Sequence, residues 1–162
     1  GLAECYKRGL VKNVGVCNYG PTLLMQCQDA LAKHDVPLAS NQIAYSLIGR
    51  HNGAQGTLDK CNELGIKVLA YYPFAMGLLT GKYSKKSLAT LDDSLTTSSK
   101  TSLEIKDLLQ YSDDLIPLLG EMESIAKQRK KTISQVALNY IISKGAIPIP
   151  GKSIIHNTNE MK

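Results

Sequence analysis

Residues 66–83, IKVLAYYPFAMGLLTGKY, gather the residue types best suited to chemistry in this chain. The apolar run Ile66, Val68, Leu69 and Ala70 predicts a buried strand that ends in a tyrosine pair, Tyr71 and Tyr72. Pro73 then forces an extended turn, and Gly77, Gly81 and Lys82 follow in a loop of small residues. An aromatic delivered by a strand into such a loop offers a face to a flat ring, and the lysine offers a charge to an anion. Asn18 and Gln42, at the ends of two other predicted strands, carry carboxamides that both donate and accept. Pro150-Gly151-Lys152-Ser153 opens a predicted helix, whose free N–H groups and dipole attract phosphate, with a lysine and a hydroxyl in support. Each feature also has a plainer reading. Tyr71 packs in the core with its hydroxyl at the surface, Asn18 turns the chain, Gln42 bonds backbone, and Lys82 is solvated.

The elements that must position these residues follow from periodicity. A first strand is predicted at about Val11–Val16, then a helix from Pro21 with Leu23, Cys27 and Leu31 on one face. Leu38–Ile43 is the second strand, and Thr57–Leu64 a short helix closed by Gly65. Ile66–Tyr71 is the third strand. Residues 84–112 are rich in Ser, Thr and Lys and read as a surface loop insertion within one domain. Leu115, Leu118, Leu119, Met122, Ile125 and Ala126 mark an amphipathic helix. Thr132 and Gln135 form a capping box for the next helix, which carries Val136, Ala137, Tyr140 and Ile141 and ends at Gly145. Ala146–Ile149 is the fourth strand. Apolar strands alternating with helices predict a parallel sheet covered by helices. The chain lacks the GxGxxG that a doubly wound sheet carries after its first strand. Its polar and aromatic residues fall at strand C-terminal ends, as in a (β/α)8 TIM barrel. Of the apolar strand residues, Val16, Ile43, Val68, Leu69 and Ile147 are candidates for the barrel's inner layer.

At 162 residues, with 43% hydrophobic and 20% charged residues, the chain can bury a core and is not wholly disordered. No apolar run is long enough to span a membrane. Gly1 is not an initiator methionine, so a removed targeting segment stays open. The net charge of +5 suits a polyanionic ligand or simply a lysine-rich surface. Its densest run, Lys127–Lys131, sits at a predicted helix C-terminus, where cations complement the dipole. No motif accompanies it that would indicate nucleic-acid binding. The four cysteines, Cys5, Cys17, Cys27 and Cys61, show no CxxC pair or zinc spacing, so no metal site is expected and a reducing compartment is.

Four segments in register resemble the aldo-keto reductase family: RGLVKNVGVCNYG (residues 8–20), VPLASNQIAYSLIGR (36–50), the segment 66–83, and AIPIPGKS (146–153). The resemblance implies the last four βα units of that family's barrel, the C-terminal half, and an NADP-dependent oxidoreductase that reduces aldehydes or ketones to alcohols. It implies cofactor contacts at Cys17, Asn18, Gln42, Tyr71, Tyr72, Pro73, Phe74, Ala75, Met76, Gly77, Lys82, Gly151, Lys152, Ser153, Asn157 and Glu160. Tyr71 takes the place that stacks on the nicotinamide, and Asn18 and Gln42 the places that hold its carboxamide. Lys82 lies where the family has a lysine near the diphosphate, and residues 150–153 where it holds the 2′-phosphate. Several positions depart from the pattern. Cys17 stands for a serine, Tyr72 for a serine, Phe74 for a leucine, Asn157 for a glutamine and Met161 for an asparagine.

The family's catalytic Asp, Tyr, Lys and His come from the first half of the barrel. None is placed here, so the 162 residues alone are expected to be inactive. Tyr45, Lys67, His34, His51 and His156 match none of those motifs and read as solvated surface. The second functional reading is a non-catalytic, nucleotide-binding or regulatory relative. Expected partners are a small carbonyl substrate and either the N-terminal half-barrel or a second copy, with no nucleic acid or membrane. The loops look nearest to plant and algal plastid-type members, so the compartment is cytoplasm or plastid stroma.

Overall fold

The computed structural model describes residues 1–48, 53–82 and 112–151. In chain order these form α1 (Leu2–Lys7), β1 (Val14–Cys17), α2 (Pro21–Ala32), β2 (Leu38–Ala44), α3 (Ala54–Glu63) and β3 (Lys67–Tyr71). A 3-10 segment (Ala75–Thr80), α4 (Ser112–Arg129), α5 (Ile133–Ser143) and β4 (Ile147–Pro148) follow. They divide into two compact units. The first is Gly1–Pro73 with Tyr140–Gly151, and the second is Phe74–Asn139 with Lys152–Lys162. Of residues 84–112, read as a loop insertion, 84–111 lie outside the described residues, while Ser112 already opens α4.

In the first unit all strands run parallel in the order β1-β2-β3-β4. Alternation assigns their faces. Val16 lies beside Asn41, and Asn41 and Ile43 lie beside Val68 and Ala70. This face packs on Leu24 and Leu31 of α2, Leu58 and Cys61 of α3, and Ile141 of α5. Cys17, Gln42, Leu69, Tyr71 and Ile147 alternate to the opposite face, where Ile147 is 48% exposed. Of the five inner-layer candidates, then, only Leu69 and Ile147 lie on the face away from the helices. Val16, Ile43 and Val68 belong to the helix-packed core.

Several boundaries and faces shift from expectation for local reasons. β1 begins at Val14, and Leu10 and Val11 are exposed. On α2 the buried residue is Leu24, not Leu23, because Leu24, Cys27 and Leu31 at i, i+3 and i+7 form the stripe that meets the sheet. α3 starts at Ala54, ahead of the expected Thr57. Gly53 turns the chain with φ 72°, and Ala54, Thr57, Leu58 and Cys61 are all buried. Gly65 and Gly145 follow α3 and α5 with φ of 71° and 83°, as the sequence predicts.

In the second unit α4 buries Leu115, Met122 and Ala126, while Ile125 is exposed. The capping box of α5 is present in full. Thr132 N–H donates to Gln135 Oε1 at 3.0 Å, and Gln135 N–H donates to Thr132 Oγ1 at 3.1 Å. Gly81 holds φ 80° and approaches Ile133 so closely that a Cβ there would lie 2.7 Å from its Cδ1. Among the described residues no helix is long and apolar enough to cross a membrane. No group of three or more metal-ligating side chains occurs among them.

Candidate functional site at the strand ends

Parallel strands bring their C-terminal ends to one edge of the sheet, and in the first unit the predicted residues meet there. β1 stops at Cys17, which is exposed and lies opposite Gln42 in register. Asn18 leaves the strand with φ 58°, a left-handed conformation that asparagine tolerates better than most residues. Its N–H donates to the Gln42 carbonyl at 2.8 Å. Its side-chain Oδ1 accepts the Tyr71 hydroxyl at 3.1 Å, tying the ends of β1 and β3 together. Tyr72, also left-handed at φ 56°, sets its ring edge-on to Tyr71 with centroids 4.9 Å apart, and is 51% exposed. Pro73 is buried. The result is a pair of carboxamides and an aromatic ring at one sheet edge.

Behind this edge lies a residue that the sequence reading passed over. Asn41 is fully buried on the helix-packed face and bonds the backbone of Tyr19 through both ends of its carboxamide. Its Nδ2 also reaches Cys61 Sγ at 3.8 Å. Burial pushes the Cys61 thiol above its ordinary pKa, and the Asn41 contact only partly opposes this. Burial likewise raises Cys27. Both are poor nucleophiles at neutral pH, since the thiolate is the reactive form. The signal for Asn41 was present: adjacent amides in one strand point to opposite faces, so one of the Asn41-Gln42 pair had to be buried and paired.

The second unit carries the loop half of the prediction. Phe74 and Ala75 are buried, and Ala75, Met76 and Gly77 take φ of 46°, 57° and 97° in succession. The turn is held by Gly77 N–H and Leu79 N–H, both donating to the Phe74 carbonyl, at 3.0 and 3.1 Å. Thr80 Oγ1 donates to the Gly77 carbonyl at 2.7 Å. Lys82 folds back over Gly77, so that a Cβ at Gly77 would lie 3.3 Å from both its Cε and its Nζ. A side chain at residue 77 would thus meet both a forbidden φ and the lysine.

Gly151 is exposed at the end of the described chain. Lys152, Ser153, Asn157, Glu160, Met161, His51 and His156 lie outside the described residues. His34 and Lys67 are exposed, as expected. Tyr45 corrects its expectation of a surface role. It is 1% exposed, its hydroxyl donates to Gln55 Oε1 at 2.8 Å, and its ring stacks on Tyr140 at 6.4 Å. The strand phase explains this: Tyr45 continues the Ile43 side of β2 into the core.

The sequence model of the Aldo/keto reductase family matches residues 1–161. The chain belongs to the aldo-keto reductase family. Chloroplastic pyridoxal reductase of Arabidopsis thaliana is 42% identical over 157 residues, covering 96% of this chain and 40% of that protein. Probable pyridoxal reductase 2 of Schizosaccharomyces pombe is 34% identical over 123 residues, covering 74% of this chain and 36% of that protein. The chain thus spans about two fifths of the length of these relatives. Among solved structures, glycerol dehydrogenase of Gluconobacter oxydans superposes with a TM-score of 0.72 at 24% identity, covering 93% of this chain and 43% of that one. The fold of this aldo-keto reductase chain is accordingly part of a parallel (β/α)8 barrel.

Proposed function

We propose that these residues form the cofactor-holding part of an NADPH-dependent reductase that converts small aldehydes or ketones to alcohols. The observation that carries this reading is the meeting of Asn18, Gln42 and the Tyr71 ring at the C-terminal ends of three parallel strands. That donor set suits a nicotinamide. A planar carboxamide needs partners that donate and accept, and its ring needs an aromatic face. Asn18 and Gln42, with Cys17 as a weak third donor, orient the carboxamide, and Tyr71 stacks on the ring beside Tyr72.

The remaining assignments rest on the family resemblance. Pro73, Phe74, Ala75, Met76 and Gly77 present backbone to the diphosphate, and Lys82 supplies its countercharge. Gly151, Lys152 and Ser153 hold the 2′-phosphate, and Asn157 and Glu160 the adenine end. When bound, the nicotinamide nucleotide supplies the hydride, and the protein supplies orientation and a proton. The proton donor belongs to the family's first half-barrel, so the 162 residues alone are expected to catalyse nothing. A polar aldehyde such as pyridoxal is the favoured substrate, on the names of the two relatives above. Plastid stroma or cytoplasm is the proposed compartment, consistent with four free cysteines.

The test uses the full-length protein and follows oxidation of NADPH and NADH with pyridoxal and a panel of simple aldehydes. NADPH-dependent turnover is expected. Because a charged hydrogen bond contributes about 1.5–3 kcal/mol, Lys152→Ala should weaken NADPH by roughly tenfold or more and leave NADH nearly unchanged. Equal loss for both would remove residue 152 from 2′-phosphate recognition. Absence of turnover with every aldehyde and ketone would overturn the reductase assignment.

A further inference from the structure

β2 places two amides side by side, and alternation sends Gln42 to the strand-end site and Asn41 into the core. A buried carboxamide must be paired. Asn41 pairs with both backbone groups of Tyr19, the residue after Asn18, and so with two consecutive peptides of the site loop. Its Nδ2 donates to the Tyr19 carbonyl at 2.9 Å, and its Oδ1 accepts the Tyr19 N–H at 3.4 Å, the first being the stronger bond. A planar amide can give to the carbonyl and take from the N–H of one residue, which aspartate and leucine cannot do at neutral pH.

Asn18 is therefore held on both sides. Its own N–H is fixed by the Gln42 carbonyl, and the residue after it by Asn41. Its φ of 58° is sparsely populated by a free chain, so neighbouring bonds must enforce it. The geometry points to Asn41 as a positioning residue for ligand binding. It touches no ligand; it holds Tyr19, the residue after Asn18, so that the Asn18 carboxamide faces the sheet edge shared with Tyr71. This rests on the reading that Asn18 binds the nicotinamide carboxamide.

The test is a double-mutant cycle in the full-length protein, read by fluorescence titration with reduced nicotinamide mononucleotide. That probe lacks the adenine end and the 2′-phosphate, so it reports the strand-end residues together with only the phosphate nearest the nicotinamide. Asn18→Ala and Asn41→Ser should each weaken binding by about tenfold, and the double variant should be within about twofold of Asn18→Ala, because coupled residues are not additive. Fully additive losses would overturn the positioning role, since a merely structural Asn41 would act independently of Asn18. Normal binding by a folded Asn41→Ser, with loss in Asn18→Ala, would also overturn it and leave the proposed site standing. Normal binding by Asn18→Ala would remove the site reading, and the role of Asn41 would fall with it.

Should Asn41→Ser fail to fold, the wild-type protein supplies the decision through amide exchange. The Tyr19 N–H should exchange at least about tenfold more slowly than exposed loop amides, as expected for a group bonded to a buried partner. Exchange at the rate of an exposed loop would overturn the clamp.

Discussion

Tyr71 combines a ring and a hydroxyl, and the two are separable by substitution. The hydroxyl bonds Asn18 Oδ1 at 3.1 Å at an accessible edge, where water can replace it. Tyr71→Phe is therefore expected to change NADPH affinity of the full-length protein by less than about threefold, the lower range for a neutral hydrogen bond. Tyr71→Ala removes the ring, and stacking of a base on an aromatic is worth about 1–3 kcal/mol, so about fivefold or greater weakening is expected. Equal losses from both variants, in fluorescence titration, would place the binding energy in the hydroxyl. At this scale the sequence was legible in where residues fall: Asn18, Gln42 and Tyr71 lie at the strand ends that periodicity predicts. It was not legible where strand phase decides the outcome. The Asn41-Gln42 pair shows that one amide is buried but not which, and the phase of β2, continued through Tyr45, turns Asn41 and Tyr45 inward, where Tyr19 and Gln55 pair with them.

Elements in this chain are set by their ends. The Thr132–Gln135 capping box satisfies two otherwise unpaired N–H groups of α5, so Thr132→Ala should cost about 1 kcal/mol in urea unfolding. No measurable change would mean that water serves those groups equally well. Gly65 and Gly81 offer a sharper comparison. Both are left-handed, but a Cβ at Gly65 meets open space and one at Gly81 meets Ile133. Gly65→Ala should cost only the backbone strain, about 1–2 kcal/mol. Gly81→Ala should cost clearly more, by the added overpacking of about 1–3 kcal/mol. Equal destabilisation would show that Ile133 rotates away without penalty. Helix ends were legible in sequence because Gly, Thr and Gln act locally. The start of α3 was missed because Ala54, Gln55 and Gly56 carry little apolar signal, and burial of Ala54 depends on packing distant in sequence.

For the molecule as a whole, the alternation of strands and helices sufficed for a parallel sheet, and the family match agrees. Which face of each strand met helices was not legible in the nearly uniform apolar runs of β1, β3 and β4. Leu69 and Val68 differ in face only through register. The buried Cys61 and half-buried Cys27 thiols predict an alkaline limit to stability. Folding raises the pKa of Cys61 and Cys27 above the ordinary 9.0, so the unfolded chain loses their protons first. The native state then binds more protons than the unfolded one. Stability from these thiols is complete below about pH 9 and is lost as pH rises through the folded values. Cys61→Ala should flatten the fall in thermal midpoint above about pH 9, relative to its own value at neutral pH. An unchanged alkaline slope would show that other groups set it.

Among the described residues, the non-glycine positions with positive φ are not scattered. Asp35 and Lys130 follow helix ends, whereas Asn18, Tyr72, Ala75 and Met76 all lie in the turns and 3-10 segment that follow β1 and β3. A tyrosine held left-handed costs about 1–2 kcal/mol that glycine would not incur. Lineages selected only for heat resistance would therefore drift to Gly or Asn at residues 72, 75 and 76 first. On the proposed cofactor-binding reading, such descendants would be sturdier proteins with blunter recognition, and an aromatic kept at residue 72 in a chain from a hot habitat would be a sign that ligand binding was still under selection.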